Sequence, residues 1–530
     1  MNYNLALPFC EHAARDAEAT ALVVDERRWS YGELAGMARR IAGWLQRQPT
    51  KCVGILASRS VEAYAGVLGT LWAGAAYVPV HPSTPEERLI RILEAAQVDA
   101  IIADAGGLKM LTERVLRHAP RLILCGRRTS ERVVGGPDPE SFDQLTEEGP
   151  AEPAIVPDDG LAYILFTSGT TGTPKGVTIE AGCVAQLRKV VQERCGFQRT
   201  DRVSQMAELT FDNSVLDLFV TWAAGGSVYV VPSAQLMAPA KFIRNHELTI
   251  WFSVPSTAVL MEQMKMLKAG VFPSLRISMF AGEALPITTA RAWQMASPNS
   301  IVENFYGPTE VTVDCIGQRL EEPPNVTRNR GTLAIGKPFP GIEAGIVDPD
   351  LKFLPPEEEG ELVVSGRQVA RGYLGDTVLT AARFPTIEGR RWYRTGDLAY
   401  QDGSGAFHHL GRVDNQVKVL GNRVELEEVE AHLREVLATD LVAAVAWPVS
   451  DGRATGIVAF HCAPGVGRDA VREGMKKRVP SYMVPGRVEE LESLPMSTSG
   501  KVDRKALVRR LEEGAPRDGV RTGPDGTPQR

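Results

Sequence analysis

A loop rich in glycine and hydroxyl side chains follows a short apolar run and ends in a lysine. The apolar run is Tyr163–Phe166, and the loop continues through Thr167–Lys175 with the sequence TSGTTGTPK. Glycine lets the backbone come close to an anion, the hydroxyl groups donate hydrogen bonds, and the lysine adds a positive charge. The loop lacks the Gly-Lys-Ser/Thr ending of a Walker A motif. Taken alone, it fits either a phosphate site or a flexible connection.

Four further motifs follow this loop in a fixed order. They are Asn304–Glu310 (NFYGPTE), Tyr393–Leu398 (YRTGDL), Gly411–Lys418 (GRVDNQVK) and Gly500–Arg504 (GKVDR). The series resembles the core motifs of adenylate-forming enzymes, the superfamily of acyl-CoA synthetases, luciferases and the adenylation domains of nonribosomal peptide synthesis. Within it, the sequence most resembles stand-alone amino-acid adenylation enzymes, which are ligases that load amino acids onto carrier proteins. The resemblance extends from about residue 30 to residue 505.

The composition limits the possible classes of function. The net charge of −6 gives no broad positive field that would attract nucleic acid or an anionic membrane. The 7 cysteines are scattered and never form a CxxC pair, which favours buried thiols in a reducing compartment over disulfides or a zinc site. The N-terminus lacks a signal peptide, and no apolar run reaches membrane-spanning length. We therefore expect a soluble cytoplasmic protein without nucleic-acid or membrane partners.

The hydrophobic patterning predicts an α/β fold. Ser30–Glu33 fits a capping box, and apolar residues with helical spacing follow it. Helix-like stretches then alternate with β-rich runs such as 77–80 and 100–103, which is typical of largely parallel sheets, and a more β-rich section follows at 335–410. A chain of 530 residues exceeds what one core usually organises, so more than one domain is expected. We predict an N-terminal adenylation core (1–410), a hinge (411–414), a small mobile α+β lid (415–511) and a disordered tail (512–530).

The resemblance implies the contacts to ATP and Mg²⁺ residue by residue. Glu310 is expected to hold Mg²⁺, Asp397 to bind the ribose with Arg412 nearby, and Tyr306 and Asn304 to contact adenine. Lys501 is expected to lie between the substrate carboxylate and the α-phosphate, where its charge would offset the charge that builds on phosphorus. Catalysis is assigned to Lys501, Glu310 and Thr167. The ATP-binding set is Thr167, Ser168, Gly169, Thr170, Thr171, Gly172, Lys175, Asn304, Tyr306, Gly307, Thr309, Asp397, Arg412 and Lys501.

Each of these residues also has an ordinary structural explanation. A single glutamate such as Glu310, or a single lysine, usually lies on the surface. Asn304 and Tyr306 would suit a turn, and Asp397 would suit a turn or a helix cap. The sequence departs from the family pattern at Leu420, a position that is often arginine, and at Ser499, which is more often asparagine. Contacts made by that arginine are therefore not expected here.

The segment Phe211–Val215 (FDNSV) resembles the motif by which amino-acid-activating members place a carboxylate against the substrate ammonium. A partly buried cation without such a partner is costly, so Asp212 favours an amino acid over a fatty or aryl acid. The alternative is that Asp212 caps a helix that begins near Ser214. The pocket assigned by similarity consists of Asp212, Asn213, Leu216, Ser253, Met279, Ala281, Gly282, Phe305, Val313, Asp314 and Lys501.

This pocket composition predicts a small or medium substrate with a polar group or a second amino group, which Asp314 would reach. The segment Trp251–Ser256 resembles D-alanyl carrier ligases, so a D-configured substrate stays open. The identity of the amino acid is not fixed by the sequence.

The resemblance also implies a second half-reaction. The lid is expected to rotate about Asp414, withdraw Lys501 and admit the phosphopantetheine thiol of a carrier protein. No serine follows Lys501 to carry a phosphopantetheine, so the carrier is expected to be a separate protein unless the chain was cut from a longer synthetase. Two alternatives remain, an acyl-CoA ligase and a non-catalytic nucleotide-binding relative. Asp212 counts against the first, and the intact set of Lys501, Glu310 and Asp397 counts against the second.

Overall fold

The computed structural model describes residues 1–120, 122–126, 139–145, 149–169, 174–450, 453–496 and 502–514. Up to residue 145 the helices are α1 (Leu7–Arg15), α2 (Tyr31–Leu45), α3 (Val61–Trp72), α4 (Glu86–Ala95), α5 (Ala105–Leu108) and α6 (Glu113–Leu116), with a 3₁₀ turn at Phe142–Gln144. The strands of this region are β1 (Thr20–Val24), β2 (Arg27–Ser30), β3 (Cys52–Leu56), β4 (Ala76–Val80), β5 (Ala100–Ala103), β6 (Leu122–Cys125) and β7 (Glu140–Ser141).

The middle of the chain continues the alternation of strands and helices. Its strands are β8 (Leu161–Thr167), β9 (Lys175–Glu180), β10 (Arg202–Gln205), β11 (Ser227–Val230), β12 (Ile250–Ser253), β13 (Ile277–Phe280), β14 (Ile301–Tyr306) and β15 (Ile316–Arg319). Its helices are α7 (Ala181–Cys195), α8 (Asn213–Ala224), α9 (Ala240–Asn245), α10 (Pro255–Gln263) and α11 (Ile287–Ala296), with 3₁₀ turns at Ser233–Gln235 and Thr309–Val311.

A β-rich section follows, as the sequence predicted. It contains α12 (Thr377–Arg383) and strands β16 (Lys337–Pro338), β17 (Ile342–Val347), β18 (Gly360–Gly366), β19 (Gly372–Tyr373), β20 (Thr386–Ile387), β21 (Arg390–Arg391), β22 (Tyr393–Gln401) and β23 (Phe407–Arg412).

The remaining elements lie within residues 416–514. The strands are β24 (Gln416–Val419), β25 (Asn422–Glu425), β26 (Val442–Ala446), β27 (Val449–Ser450), β28 (Arg453–Ala454), β29 (Ile457–His461) and β30 (Arg487–Glu490). The helices are α13 (Leu426–Leu437), α14 (Arg468–Lys476) and α15 (Arg504–Gly514), with a 3₁₀ turn at Ser481–Met483. Because α15 reaches Gly514, the tail predicted from residue 512 is wrong for its first three residues, and 515–530 lie outside the described residues.

Two large sheets use strands between residues 20 and 373, and a four-stranded sheet, β17-β18-β22-β23, accompanies them. One has the strand order β16-β15-β14-β13-β12-β10-β11-β1-β2, and the other has the order β19-β9-β8-β4-β3-β5-β6-β7. The inner strands of both pair in parallel, whereas β2, β15, β16, β9 and β19 are antiparallel. The fully buried runs of β3, β4 and β5 suit strands that are covered on both faces. The predicted α/β fold with largely parallel sheets is therefore confirmed.

The local signals in the sequence mark real helix boundaries. Ser30 accepts a hydrogen bond from the Glu33 backbone N–H at 3.1 Å, and its own N–H donates to the Glu33 carboxylate at 2.8 Å. The predicted capping box therefore starts α2. None of the helices in the described ranges is long and apolar enough to cross a membrane.

The packing of apolar residues separates the predicted lid from the predicted core. Two buried clusters consist only of residues from 417 to 511, whereas the four other clusters among the described residues use only residues up to 407. The lid has its own sheets, β25-β24-β28-β27 and β26-β29-β30. This division supports the proposed boundary at 411–414.

Candidate active site

The site lies at the ends of strands from both large sheets. Thr167 closes β8, Ser253 closes β12 and Tyr306 closes β14, while Ala281 comes directly after β13. In open α/β sheets, the crevice beyond the carboxyl ends of the strands is the usual binding position. The two sheets therefore bring motifs from distant parts of the sequence to one site.

The glycine-hydroxyl loop joins β8 to β9 in a hairpin, with Thr167 opposite Lys175. The Thr167 hydroxyl oxygen is buried and has no hydrogen-bond partner among the described residues. Ser168 donates to the Arg423 carbonyl oxygen at 3.1 Å. Thr170, Thr171 and Gly172, which belong to the predicted ATP set, lie outside the described residues.

Lys175 is nearly buried, and its Nζ lies 3.4 Å from the Glu425 carboxylate. Burial, together with repulsion from the Arg423 guanidinium, lowers the pKa of Lys175 below its usual value. The Gly169 backbone N–H donates to Glu428 Oε2 at 2.9 Å. Two groups of the loop that could bind a phosphate are thus in contact with carboxylates of the lid.

Glu310 is completely buried on the 3₁₀ turn after β14, so it is not a solvated surface glutamate. Arg423 donates to Glu310 Oε2 at 2.7 Å, and the Tyr373 hydroxyl donates to Oε1 at 2.8 Å. Burial alone would raise the pKa of Glu310, but the positive charges of Arg423 and Lys175 lower it to about 2. Glu310 is therefore a carboxylate at neutral pH, the form that a divalent cation requires.

Asp397 lies inside β22 and is neither a turn residue nor a helix cap. Its carboxylate accepts hydrogen bonds from the Tyr306 hydroxyl at 2.5 Å and from Arg412 at 2.8 Å, and His409 Nε2 lies at 3.4 Å. Burial opposes the ionised form, but the hydrogen bond from His409 and the charge of Arg412 hold the pKa of Asp397 well below its usual range. Arg412 also donates two hydrogen bonds, of 2.7 and 2.8 Å, to the carboxylate of Asp414, the predicted hinge residue.

A cavity of about 900 Å³, here called the Asn304 cavity, opens beside Asp397. Asn304 belongs to β14 and is not a turn residue. Its amide nitrogen donates to the Ala334 carbonyl oxygen at 2.9 Å, whereas its amide oxygen is buried and no described residue donates to it. A buried acceptor of this kind suits a ligand that carries an N–H donor, such as an exocyclic amine.

A second cavity of about 670 Å³, here called the Asp212 cavity, shares part of its wall with the first. The residues that line both are Gly282, Tyr306, Gly307, Asp397, Arg412, Gln416, Lys418 and Ala454. Asp212 precedes α8 but makes no side-chain cap hydrogen bond, so the capping alternative is excluded. Burial raises the pKa of Asp212, against the stabilising hydrogen bond from Thr309 and the charge of Lys418.

Asp314 is the second carboxylate of the Asp212 cavity. It is buried, and its Oδ2 has no hydrogen-bond donor in the part of the chain that the structure describes. Burial, and secondly repulsion from Asp212, raise the pKa of Asp314 well above its usual value. Thr312 and Val313, which precede it, both have positive φ, an unfavourable conformation for β-branched residues. Such strain persists where the surroundings enforce it and often marks a functional site.

The surroundings of this turn hold it in place. The Gln368 side-chain amide donates to the Asp314 carbonyl oxygen at 2.8 Å, and the Thr312 hydroxyl donates to the Gln368 carbonyl oxygen at 2.7 Å. The turn packs so closely on Gly307 that a Cβ there would overlap the Val313 carbonyl oxygen. The glycine of the NFYGPTE motif therefore positions Asp314.

The structure brings together most of the predicted pocket but not all of it. Asp212, Asn213, Ser253, Ala281, Gly282 and Asp314 line the Asp212 cavity, while Phe305 lines the Asn304 cavity. Leu216, Met279 and Val313 line neither cavity, and their side chains are buried in the apolar core. Contact of these three with a substrate is not seen in this arrangement. Lys501 lies outside the described residues, so its predicted position is not tested.

Sequence analysis missed several charged residues that the structure places at the site. Lys418 lines both cavities, and Arg423, Glu425 and Glu428 contact the loop or Glu310. Lys418 belongs to a quoted motif, but no role was drawn from it. The only signal for the others was a dense run of charges after Gly421, which also fits a solvated helix face.

The comparisons with known proteins agree with this geometry. The family model described as AMP-binding enzyme matches residues 9–374. The chain is 35% identical over 515 residues to tyrocidine synthase 2 of Brevibacillus parabrevis, and 34% identical over 508 residues to surfactin synthase subunit 1 of Bacillus subtilis (strain 168). These matches cover 95% and 94% of this chain but only 13% of each relative, so the chain corresponds to a small part of either protein.

Solved structures match over nearly their whole length. The Vibrio cholerae adenylation domain AlmE, in complex with glycyl-adenosine-5′-phosphate, is 31% identical with a TM-score of 0.86, and the match covers 97% of this chain and 98% of AlmE. IdnL7 is 32% identical with a TM-score of 0.73, and the match covers 97% of this chain and all of IdnL7.

Proposed function

The chain belongs to the family of AMP-binding enzymes, and we propose that it activates an amino acid with ATP and passes it to a carrier protein. In the first half-reaction, a carboxylate oxygen of the amino acid attacks the α-phosphorus of ATP, and pyrophosphate leaves. In the second, the phosphopantetheine thiol of a separate carrier attacks the carbonyl carbon of the aminoacyl adenylate, and AMP leaves. AlmE, the relative with bound glycyl-adenosine-5′-phosphate, supports the first step.

One observation carries this proposal: the cavity that holds Asp212 and the cavity that holds Asn304 share a wall. Asp212 supplies the negative charge that an amino-acid ammonium needs when it leaves water. On the other side, the free amide oxygen of Asn304 suits an adenine amine, and Asp397 can accept hydrogen bonds from ribose hydroxyls. A zwitterion and a nucleotide bound in these cavities would meet at the shared wall.

The residues present fit a magnesium ion that arrives with the nucleotide. The described ranges contain no group of three or more histidine, cysteine, aspartate or glutamate side chains that could hold a metal alone. Mg²⁺ commonly uses one or two carboxylates and completes its shell with substrate phosphates and water. Glu310, buried and ionised, would be that carboxylate. The ion would neutralise charge on the phosphate oxygens during the first half-reaction.

The predicted lid gives the two half-reactions separate arrangements. We propose that Lys501 approaches the substrate carboxylate for the first step and withdraws for the second, with Asp414 as the pivot. The separate apolar cores of the two parts support such a movement. A phosphopantetheine-bearing carrier, a cytoplasmic location and the side chain of the amino acid remain predictions.

The test is amino-acid-dependent exchange of labelled pyrophosphate into ATP, measured with the purified chain across a panel of amino and aryl acids. We expect exchange with at least one amino acid, and none with acids that lack an amine. Exchange only with acids that lack an amine would favour an acyl-CoA ligase. No exchange with any acid would favour a non-catalytic nucleotide-binding protein. Candidate carriers are then tested for thioester formation with the amino acid that exchanges.

A further inference from the structure

We propose that Arg423, Glu425 and Glu428 of the lid are charge surrogates, which occupy in this lid position the contacts that Mg²⁺ and the ATP phosphates use. This lid position and bound Mg·ATP therefore exclude each other, and the three residues position the lid for the second half-reaction. The inference rests on the proposed function, because only a two-step reaction requires the phosphate groups to be released before the lid takes this place.

The anionic surrogates are two glutamates that flank the start of α13. Glu425 Oε1 lies 3.4 Å from Lys175 Nζ, and Glu428 Oε2 accepts the Gly169 N–H at 2.9 Å. Both side chains are buried, with exposed fractions of 3% and 0%. A backbone N–H and a lysine in a glycine-rich loop are the donors that phosphate oxygens use. In this structure, the carboxylate oxygens of Glu425 and Glu428 contact these two donors.

The cationic surrogate is Arg423. Its Nη1 lies 2.7 Å from Glu310 Oε2, and the side chain of Glu310 is completely buried. The guanidinium supplies the positive charge that this buried carboxylate needs when no metal neutralises it. A divalent cation at the same carboxylate would be repelled by the Arg423 guanidinium, so the two cations compete for Glu310.

Further contacts make the surrogate arrangement specific. Arg88 of α4, in the large domain, lies 2.5 Å from Glu428 Oε1, and only 7% of its side chain is exposed. Gln416 donates to Glu425 Oε1 at 2.6 Å, and the Glu425 N–H donates to the Ser168 hydroxyl at 3.2 Å. Glu428 thus receives hydrogen bonds from two parts of the large domain, helix α4 and the loop. These partners aim the carboxylates at the loop and do not leave them as mobile surface charges.

The arrangement predicts opposite effects on the two half-reactions. If the lid must leave before ATP binds, the apparent dissociation constant of Mg·ATP is the intrinsic constant divided by the fraction of molecules with the lid displaced. Removing one surrogate charge raises that fraction and tightens ATP binding. The same change weakens the lid position used for thioester formation. A general structural lesion would impair both steps.

The experiment compares Glu428→Gln and Glu425→Gln with the unmodified chain. Mg·ATP affinity is measured by titration calorimetry without amino acid or carrier. We expect the dissociation constant to fall about fivefold or more, within the usual range of coupling between two conformational states. Thioester formation is measured with a carrier protein and the amino acid that supports exchange. We expect its rate to fall by a similar factor. Glu435→Gln, which removes an exposed charge from the same helix α13, is the control and should change neither quantity.

Two variants keep the test decisive if one of them fails to fold, since Glu425 does not contact Arg88. Unchanged or weaker Mg·ATP affinity in both folded variants would overturn the inference, and so would an equal loss of both half-reactions. The calorimetric result does not depend on amino-acid activation. If no acid supports exchange, the proposed function fails. Tighter binding of Mg·ATP to the variants would still show that the lid glutamates compete with Mg·ATP.

Discussion

The two ends of the site differ in how their buried charges are satisfied. At the phosphate end, Glu310 is paired with Arg423, and Lys175 is paired with Glu425, so protein groups neutralise one another. At the amino-acid end, Asp212 and Asp314 line one cavity and repel each other, and no described residue donates a hydrogen bond to Asp314 Oδ2. A ligand at the phosphate end must therefore compete with protein groups for these charges. A ligand at the amino-acid end instead supplies the hydrogen-bond donor that Asp314 lacks among the described residues.

The largest effect is expected from Asp212→Ala at the amino-acid end. The substrate ammonium would be left buried without its counter-charge, which costs about 3 kcal/mol or more, so kcat/KM for exchange should fall at least about a hundredfold. Pyrophosphate exchange with the preferred amino acid measures this effect. Asp16→Ala, which removes an exposed aspartate paired with Arg199, serves as the control. Full activity of Asp212→Ala would show that Asp212 is not the counter-charge of the substrate ammonium.

Arg423→Ala tests the paired end through stability. The usual pKa of glutamate is 4.5, and in the folded chain the pKa of Glu310 is about 2, chiefly because of Arg423 acting against burial. A depressed carboxylate pKa stabilises the fold above the unfolded pKa, and this contribution is lost as pH falls toward the folded pKa. The variant should lose about 3 kcal/mol of unfolding free energy at pH 7, and its difference from the unmodified chain should shrink between about pH 4.5 and pH 2.

Chemical denaturation at several pH values measures this difference. Arg434→Ala removes an exposed (i, i+4) pair of the lid and should cost less than about 1 kcal/mol at any pH. A pH-independent loss in Arg423→Ala would show that packing of the arginine stem, and not the pairing with Glu310, stabilises the fold.

Asp314→Asn tests which substrate side chains the amino-acid end prefers. The unmatched Asp314 carboxylate should favour a side chain that brings a second amino group, and the neutral amide should lose that preference by about tenfold or more. Exchange with ornithine, homoserine and norvaline, each in both enantiomers, measures the preference and its stereochemistry. Equal loss with all of them would assign Asp314 to the structure of the turn alone.

The smallest effect is expected from Tyr306→Phe, in the wall that both cavities share. Its hydroxyl donates to the Asp397 carboxylate at 2.5 Å, and a hydrogen bond to a charged group is worth about 1.5–3 kcal/mol. Arg412 and His409 still hold Asp397, so only part of this energy should reach ATP binding, and KM for ATP should rise about fivefold. Tyr31→Phe, which removes a buried hydroxyl bonded to the Gly226 carbonyl, should leave KM unchanged. An altered kcat with unchanged KM in Tyr306→Phe would instead place the hydroxyl in the chemical step.

Much of the fold could be predicted because its signals are local. The capping box at Ser30 and the strand at 100–103 follow from patterns within a few residues. The resemblance of the ordered motifs implied that Asp212, Glu310 and Asp397 share one site, and their roles there stay predictions. Leu216 and Met279, in contrast, were expected in the pocket and are sealed in the core, because burial depends on what packs against a helix or strand from elsewhere in the chain.

The amino-acid sequence by itself determined many of the elements and their order, because hydrophobic periodicity and turn chemistry act over short distances. The motif residues were identified by their resemblance to a known family. Only the tertiary structure decided which charges neutralise one another. Gly169 and Glu428 are 259 positions apart, and Glu310 and Arg423 are 113 positions apart, so no local pattern relates them. The positive φ of Thr312 and Val313 was likewise set by packing against Gly307 and Gln368, since neither residue adopts that conformation by its own preference.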